Sequence, residues 1–297
     1  MYDAIVVGGS YAGLSAALQL ARARRRVAVV DGGRRRNRFA DASHGFLGHD
    51  GRAPGDIVAD GRAQLLAYPT VDWMNREAEA ASGSRDAFSV SVGRGQFEAR
   101  RLILATGVVD ELPGIPGLAE RWGKHVFHCP YCHGYELDRG KVGVIAVSPL
   151  SMHQALMLPD WGPTTLLLNG AFEPSAEDVA ALDRRGVAIE RQPIVRISGE
   201  ANVELGAGRV LACRGLFTAP RLSPSSPLAG QLGCAFDDGP MGPFIRTDAV
   251  KETTVPGVFA CGDVALAKST VSFAIADGVR AGIGAHQSLV FRPDGAR

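Results

Sequence analysis

An α/β fold is predicted by three features of the sequence. The first is an apolar, β-branched run that ends in glycines, AIVVGG at residues 4–9. It is followed by a stretch with small and apolar residues at helical spacing and a second buried run, VAVVD, Val27–Asp31. The second is the return of the same strand-then-small-turn pattern further along, in LILATG (Leu102–Gly107), VGVI (Val142–Ile145) and VFACGD (Val258–Asp263). The third is the abundance of glycine, 37 residues in a chain of 297, much of it in short loops after apolar runs. A chain of this length can build two domains, each with its own core.

The first element pair is justified residue by residue. Ala12, Ala16, Ala17 and Leu20 recur at helical spacing between the two strands, so residues 4–31 read as a βαβ unit. Its turn, Gly8–Gly9–Ser10–Tyr11–Ala12–Gly13, fits GxGxxG with Ser10 at the middle glycine position. Gly8 permits the tight turn, and Gly13 lets the helix approach the strand. The helix N-terminus offers free N–H groups and a positive dipole end to a pyrophosphate. Asp31 ends the second strand, where a carboxylate accepts hydrogen bonds from a ribose diol. Strand, turn, helix, strand and acid in this order make a dinucleotide site rather than a generic glycine-rich turn.

Charge and composition exclude several classes. The formal net charge is +1, so nothing points to nucleic acid or to an anionic membrane. No run reaches the roughly 18 apolar residues that span a bilayer. The N-terminal MYDAIVVGG enters a strand with no basic region or cleavage site before it, so a cytoplasmic protein is expected. Arginines cluster at residues 22–26 and 34–38. Both read first as a solvated helix end and a loop, and the second, Arg38 included, is also a candidate to lie close to a bound phosphate or adenine.

The stretch HCPYCHGYE, His128–Glu136, carries the chemistry. A structural zinc needs four ligands, and Cys213, Cys234 and Cys261 are isolated in apolar or turn contexts. Adjacent residues such as His128 and Cys129 cannot easily face one ion, so no metal is expected. Cys129 and Cys132 read instead as a redox pair. A CxxC at a helix start closes a small reactive disulfide and holds one thiolate at low pKa. His133, directly after the pair, is the candidate to take a thiol proton near neutral pH. His44 and His128 read as structural.

With these motifs the chain resembles the two-dinucleotide-binding flavoproteins and, over nearly its whole length, the low-molecular-weight thioredoxin reductases. The order of glycine motif, ATG strand, ELPGIPG linker, CxxC, second βαβ unit and GD segment carries the likeness. The resemblance implies two doubly wound Rossmann-like domains, the second inserted in the first. Residues 1–112 and 243–297 would bind FAD and 113–242 would form the inserted domain. The borders LPGIPG and DDGPMGP read as linkers. It also implies that Gly8, Gly9, Ser10, Ala12, Gly13, Asp31, Arg38, Ala105, Thr106, Gly107, Gly262 and Asp263 line the FAD site. The acid of the GD turn meets the ribityl and pyrophosphate groups, and a helix from about Ser272 to Leu289 aims its N-terminus at the flavin. By the same likeness Cys132 is the flavin-side thiol, Cys129 the exchange thiol, and the protein a homodimer.

One part of the pattern is missing. Where the second nucleotide motif belongs, the glycine positions read Ala146, Ser148 and Ser151. The strand TTLLL, Thr164–Leu168, leads into NGAFEPSAED, which holds Glu173, Glu177 and Asp178 and no basic residue for a 2′-phosphate. NADPH is therefore not expected to bind. The form CxxCHGYE, RRNRFA followed by SHGF, and this degenerate motif are similar to the thioredoxin-reductase-like dithiol oxidases. That group closes disulfides in gliotoxin, holomycin and romidepsin biosynthesis. Its chemistry implies a dithiol substrate, a small molecule or a thioredoxin-like protein, with dioxygen as acceptor and peroxide as product. The competing readings are a thioredoxin-disulfide reductase with an atypical NADPH site or another donor, and a flavin-bound redox sensor.

Overall fold

The computed structural model describes residues 1–268 and 270–291. The chain forms two compact units. The first holds residues 1–36, 55–109 and Leu222 onward, and the second holds 37–54 and 110–221. Among the described residues no helix is long and apolar enough to cross a membrane.

The first unit is built on a seven-stranded sheet, counted among the described residues. Tyr2–Val7 lies between Val27–Val30 and Gly95–Leu104, parallel to both. Ala4–Val7 and Val27–Val30 are buried along their length, which is why both read as continuous apolar runs. Val71–Met74 extends the sheet beyond Val27–Val30. Gly95–Leu104 is long enough for two partners on one side. Its first half pairs antiparallel with Ala87–Val92, and its last three residues pair parallel with Val258–Ala260. In register, Val7 faces Val30 and Leu104, and Leu104 faces Ala260. Four parallel strands therefore end in one row, the edge at which α/β sheets bind ligands.

Two helices that pack against each other also contact this sheet. Tyr11–Arg22 buries Ala12, Gly13, Ala16, Ala17 and Leu20. Val271–Val290 packs along it through Gly278 and Gly282. A side chain at Gly278 would stand 2.1 Å from the Ala12 carbonyl, and one at Gly282 2.5 Å from the Ala16 carbonyl. Small residues on both helices thus set a close backbone approach.

The second unit has its own parallel sheet. Val142–Ile145 lies between Thr164–Leu167 and Gly215–Phe217, with Ala188–Glu190 and Val126–Phe127 at the edges. Ile194–Ser198, Asn202–Leu205 and Val210–Ala212 form a separate antiparallel sheet. Val142, Val144, Leu166 and Phe217 bury on one side, and Val126, Ile145, Leu167 and Leu216 on the other.

The α/β architecture agrees with the sequence reading. The grouping of residues differs from the expected borders at Pro113 and Gly242. Residues 222–242 belong with the first unit, because Leu228, Ala229 and Cys234 are buried in its core. The Pro/Gly-rich DDGPMGP is the tip of a hairpin, Phe236–Gly239 against Gly242–Ile245, and not a hinge. Residues 37–54 group with the second unit instead. Phe39 packs there on Gly123, leaving no room for a side chain at that glycine.

Candidate active site

The dinucleotide site of the first unit is assembled from the row of strand ends. Gly8 has φ of +104° and its Cα faces the Ala105 carbonyl, which an added Cβ would meet at 2.2 Å. A Cβ on Gly13 would stand 1.8 Å from the Gly8 carbonyl. Only glycine fits at both positions. The turn is pinned by Gly8 N–H donating to the Val30 carbonyl (2.8 Å) and Ala105 N–H to the Val7 carbonyl (2.8 Å). Ser10 is the N-cap of Tyr11–Arg22 in extended conformation, and its side chain caps none of the helix's N–H groups. The helix end is thus left to an anion. Asp31 Oδ1 accepts from Gly9 N–H (3.1 Å) and Gly33 N–H (3.2 Å), which fixes the carboxylate beside the turn.

From the far end of the chain come Gly262 and Asp263. Gly262 has φ of +76°, and an added Cβ would meet Ala12 Cβ at 2.8 Å, so this turn touches the helix that carries the glycine motif. Asp263 pairs with Arg36 Nη1 at 2.8 Å. The carbonyls of Thr106 and Gly107 accept from the Ser225 hydroxyl (2.6 Å) and N–H (3.2 Å). Gly8, Gly9, Ser10, Ala12, Gly13, Asp31, Ala105, Gly262 and Asp263 therefore converge on one edge. Arg38 groups with the second unit, and its guanidinium lies over the Phe39 ring, 4.2 Å from the centroid. The cation that meets the GD acid is Arg36, two residues earlier in the same cluster. Sequence spacing does not single out Arg36, because Arg34, Arg35, Arg36 and Arg38 crowd together and the segment Arg36–Phe39 is kinked at Asn37. A glycine cradle, an open helix N-terminus and two placed carboxylates fit the pyrophosphate, ribose and ribityl groups of FAD.

The redox stretch lies in the second unit. Cys129 is the N-cap of the short helix Pro130–His133, with Pro130 at its first position, where a missing N–H does no harm. This turn brings the Cys129 and Cys132 sulfurs to 2.7 Å. Both residues are half-buried, so one face of the pair stays open to solvent. Gly134 follows because a side chain there would strike Trp161 at 2.6 Å. Tyr131 stands edge-on to Trp161 (5.3 Å, 89°) and is 71% exposed, and Tyr135 is 85% exposed. Together they leave an aromatic surface beside the cysteines.

His133 stacks on Phe127, with centroids 4.4 Å apart and planes inclined at 20°. Burial, with the His44 charge as a second cause, pushes its pKa down to about 4. The imidazole is therefore neutral at neutral pH, a proton acceptor rather than a cation. Its unfolded value is near 6.5, so between these values protonation favours unfolding. Its stabilising contribution is complete above about pH 6.5 and falls as pH drops toward 4. His133→Gln should flatten that acid slope in thermal unfolding and lower thiol–disulfide turnover about a hundredfold.

His44 is brought to the same turn. Its Nδ1 lies 3.5 Å from Glu136 Oε1 and 3.7 Å from Asp50 Oδ1. The His128 carbonyl accepts from Gln154 Nε2 at 2.7 Å, and Gln154 is 5% exposed. Gln154 thus anchors the backbone just before Cys129. The sequence reading missed it, since a glutamine inside an apolar helix carries no motif. Of the other cysteines, Cys234 and Cys261 are buried and Cys213 is half-buried. Burial pushes Cys213 up to about 11 and also raises Cys234 and Cys261, which makes them poor nucleophiles.

The second glycine-less turn is closed by its own side chains. Val147 N–H donates to Ser151 Oγ (3.0 Å) and Leu150 N–H to Ser148 Oγ (3.3 Å). Ala146 is 3% exposed and Ser151 fully buried. After Thr164–Leu167, Asn169 Oδ1 accepts from Ile194 N–H (2.8 Å), and Ser175 and Asp178 form a capping box. Arg191 reaches this region from beyond the strand Ala188–Glu190, but it is paired with Glu173 at 2.9 Å.

Comparison with known proteins places the chain in a family. The family model "Pyridine nucleotide-disulphide oxidoreductase" matches residues 2–278, and the chain belongs to that family. It is an FAD-dependent oxidoreductase of the thioredoxin-reductase-like group. The curated relative "Thioredoxin reductase tcpT" of Claviceps purpurea is 35% identical, over 94% of this chain and 92% of its own length. The structure titled "oxidoreductase from Agrobacterium tumefaciens" superposes with a TM-score of 0.96 at 55% identity, covering 98% of this chain and 99% of that one. The structure of HlmI superposes with a TM-score of 0.90 at 38% identity, covering 97% and 92%.

Proposed function

We propose that the protein oxidises a dithiol to a disulfide through Cys129 and Cys132, with FAD as the electron sink and dioxygen as the final acceptor. The observation that carries this reading is the second nucleotide turn. Ser151 Oγ takes the Val147 N–H that a pyrophosphate would need, and side chains occupy the glycine positions. The redox pair and the FAD cradle keep every part their chemistry requires.

The exchange balances in two steps. One substrate thiolate attacks Cys129 Sγ, the Cys129–Cys132 bond breaks, and Cys132 leaves as the thiolate. The second substrate thiolate then attacks the first substrate sulfur, and Cys129 leaves in turn. The substrate has lost two electrons and the pair has gained them. His133, neutral at the start, accepts one of the released thiol protons. Exposed Tyr131 and Tyr135 suit a dithiol carried on an apolar or aromatic body. When bound, FAD supplies the two-electron acceptor that returns the pair to its disulfide and passes the electrons to dioxygen, giving hydrogen peroxide.

Anaerobic titration tests the direction. NADPH should leave the visible flavin band intact and a dithiol should bleach it. Admitting air should restore the band and yield one peroxide per disulfide formed. Rapid bleaching by NADPH, with steady turnover of thioredoxin and no peroxide, would replace this reading with a reductase. The names of relatives such as "Thioredoxin reductase tcpT" favour that second reading.

A further inference from the structure

Under the turn that carries Asp263 lies an ion pair shielded from water. Lys251 Nζ and Asp277 Oδ1 are 3.1 Å apart, and the two side chains are only 7% and 6% exposed. Lys251 also holds φ of +72°, a conformation that side-chain-bearing residues seldom adopt. A local frame keeps it there. Its N–H donates to the Asp248 carbonyl (3.2 Å), its carbonyl accepts from Ala260 N–H (3.0 Å), and Asp248 Oδ1 takes the N–H groups of Val250 and Glu252 (2.9 Å each). Burying two charges and straining one backbone residue are both unfavourable by themselves.

The pair's remaining bonds show what the arrangement does. Asp277 Oδ2 accepts from Gly262 N–H at 2.9 Å. Lys251 Nζ donates to the Ala265 carbonyl at 3.3 Å. Gly262 and Ala265 bracket the single 3₁₀ turn Asp263–Ala265, which closes on itself through Ala265 N–H to the Gly262 carbonyl (2.8 Å). One buried ion pair therefore grips both ends of the turn whose first residue is the FAD-site carboxylate. The neighbour of Asp277, Gly278, is the glycine packed on the Ala12 carbonyl, so the same helix turn also abuts the glycine motif.

We infer that Lys251 and Asp277 are positioning residues for FAD: they hold Asp263 where it meets the cofactor and so set how tightly FAD is retained. This inference rests on the FAD assignment and is independent of the direction of the thiol chemistry.

Two double variants test it, each removing both charges so that neither is left buried alone. K251M/D277L removes both charges and loses the acceptor for Gly262 N–H. K251M/D277N keeps a carbonyl oxygen at that position. FAD release from the holoenzyme is followed by the rise of flavin fluorescence on dilution. K251M/D277L should release FAD with a Kd raised at least about tenfold, and K251M/D277N should stay within about threefold of the parent. Wild-type FAD retention by K251M/D277L, or equal loss by both variants, would overturn the inference. Hydrogen exchange of the unaltered holoenzyme adds a measurement that needs no variant. The Gly262 amide should exchange slowly, and fast exchange there would equally overturn it. Dithiol-driven bleaching of the FAD still bound should proceed in both variants, so a failed dithiol-oxidase reading would show separately.

Discussion

Cys132→Ser should abolish the proposed dithiol-dependent turnover, by about three orders of magnitude or more, with FAD still bound. The expectation follows from the division of the molecule. Every residue of the FAD cradle lies in the first unit, and Cys132 sits on a four-residue helix of the second. A serine hydroxyl occupies the same place on the turn and is compatible with it, so the fold should not change. What is lost is the sulfur that leaves when Cys129 is attacked. Cys129→Ser should be equally inactive, but it leaves a single thiol at Cys132. A stopped-flow trace with a dithiol would show no bleaching of the flavin band in either variant. Bleaching at an undiminished rate would mean that the dithiol reaches the flavin directly and that the pair is a bystander.

Gly13→Ala should yield protein without flavin. The added Cβ would stand 1.8 Å from the Gly8 carbonyl, a distance no relaxation of a flexible side chain relieves, because the obstacle is backbone. The helix Tyr11–Arg22 must then move off the strand, and its N-terminus leaves the position where it meets a pyrophosphate. Loss of FAD by at least a hundredfold in Kd is the expected scale, since one misplaced helix end removes several hydrogen bonds to a charged group at once. Gly107→Ala is the contrast. Its backbone is left-handed, with φ of +74°, but nothing lies within 4 Å of the added atom. The cost there is local strain of about 1 kcal/mol, and flavin should be retained. The visible absorbance of the purified variants distinguishes the two.

The parts of the fold legible in the sequence are those written in short-range patterns. The strands Tyr2–Val7, Val27–Val30 and Val142–Ile145 are buried on both faces, so their composition announces them. The glycines of the first turn are legible because a backbone-to-backbone contact admits no other residue. What could not be read were choices made by three-dimensional packing. Arg36 lies in a cluster of arginines that the sequence does not rank, and its partner Asp263 is 227 residues away. DDGPMGP carries the same composition whether it is a hinge or a hairpin tip, and the pairing of Asp237 with Phe244 settles that it is a hairpin. Gln154 and the Lys251–Asp277 pair act through bonds to backbone groups far away in sequence, which leave no local pattern.

The seam of small residues between the first helix and Val271–Val290 has a consequence for biogenesis. The glycine turn is made early in synthesis, whereas Asp263 and the Gly278 that packs on Ala12 are made near the end. Arg36 and its partner Asp263 are separated by 227 residues. Until Val271–Val290 has been synthesised, the nascent chain has an exposed helix face at Ala12 and Ala16 and half a cofactor site. Flavin loading should therefore follow synthesis of that helix. A cell short of FAD should accumulate a late intermediate whose exposed surface is recognised by chaperones, rather than an early one.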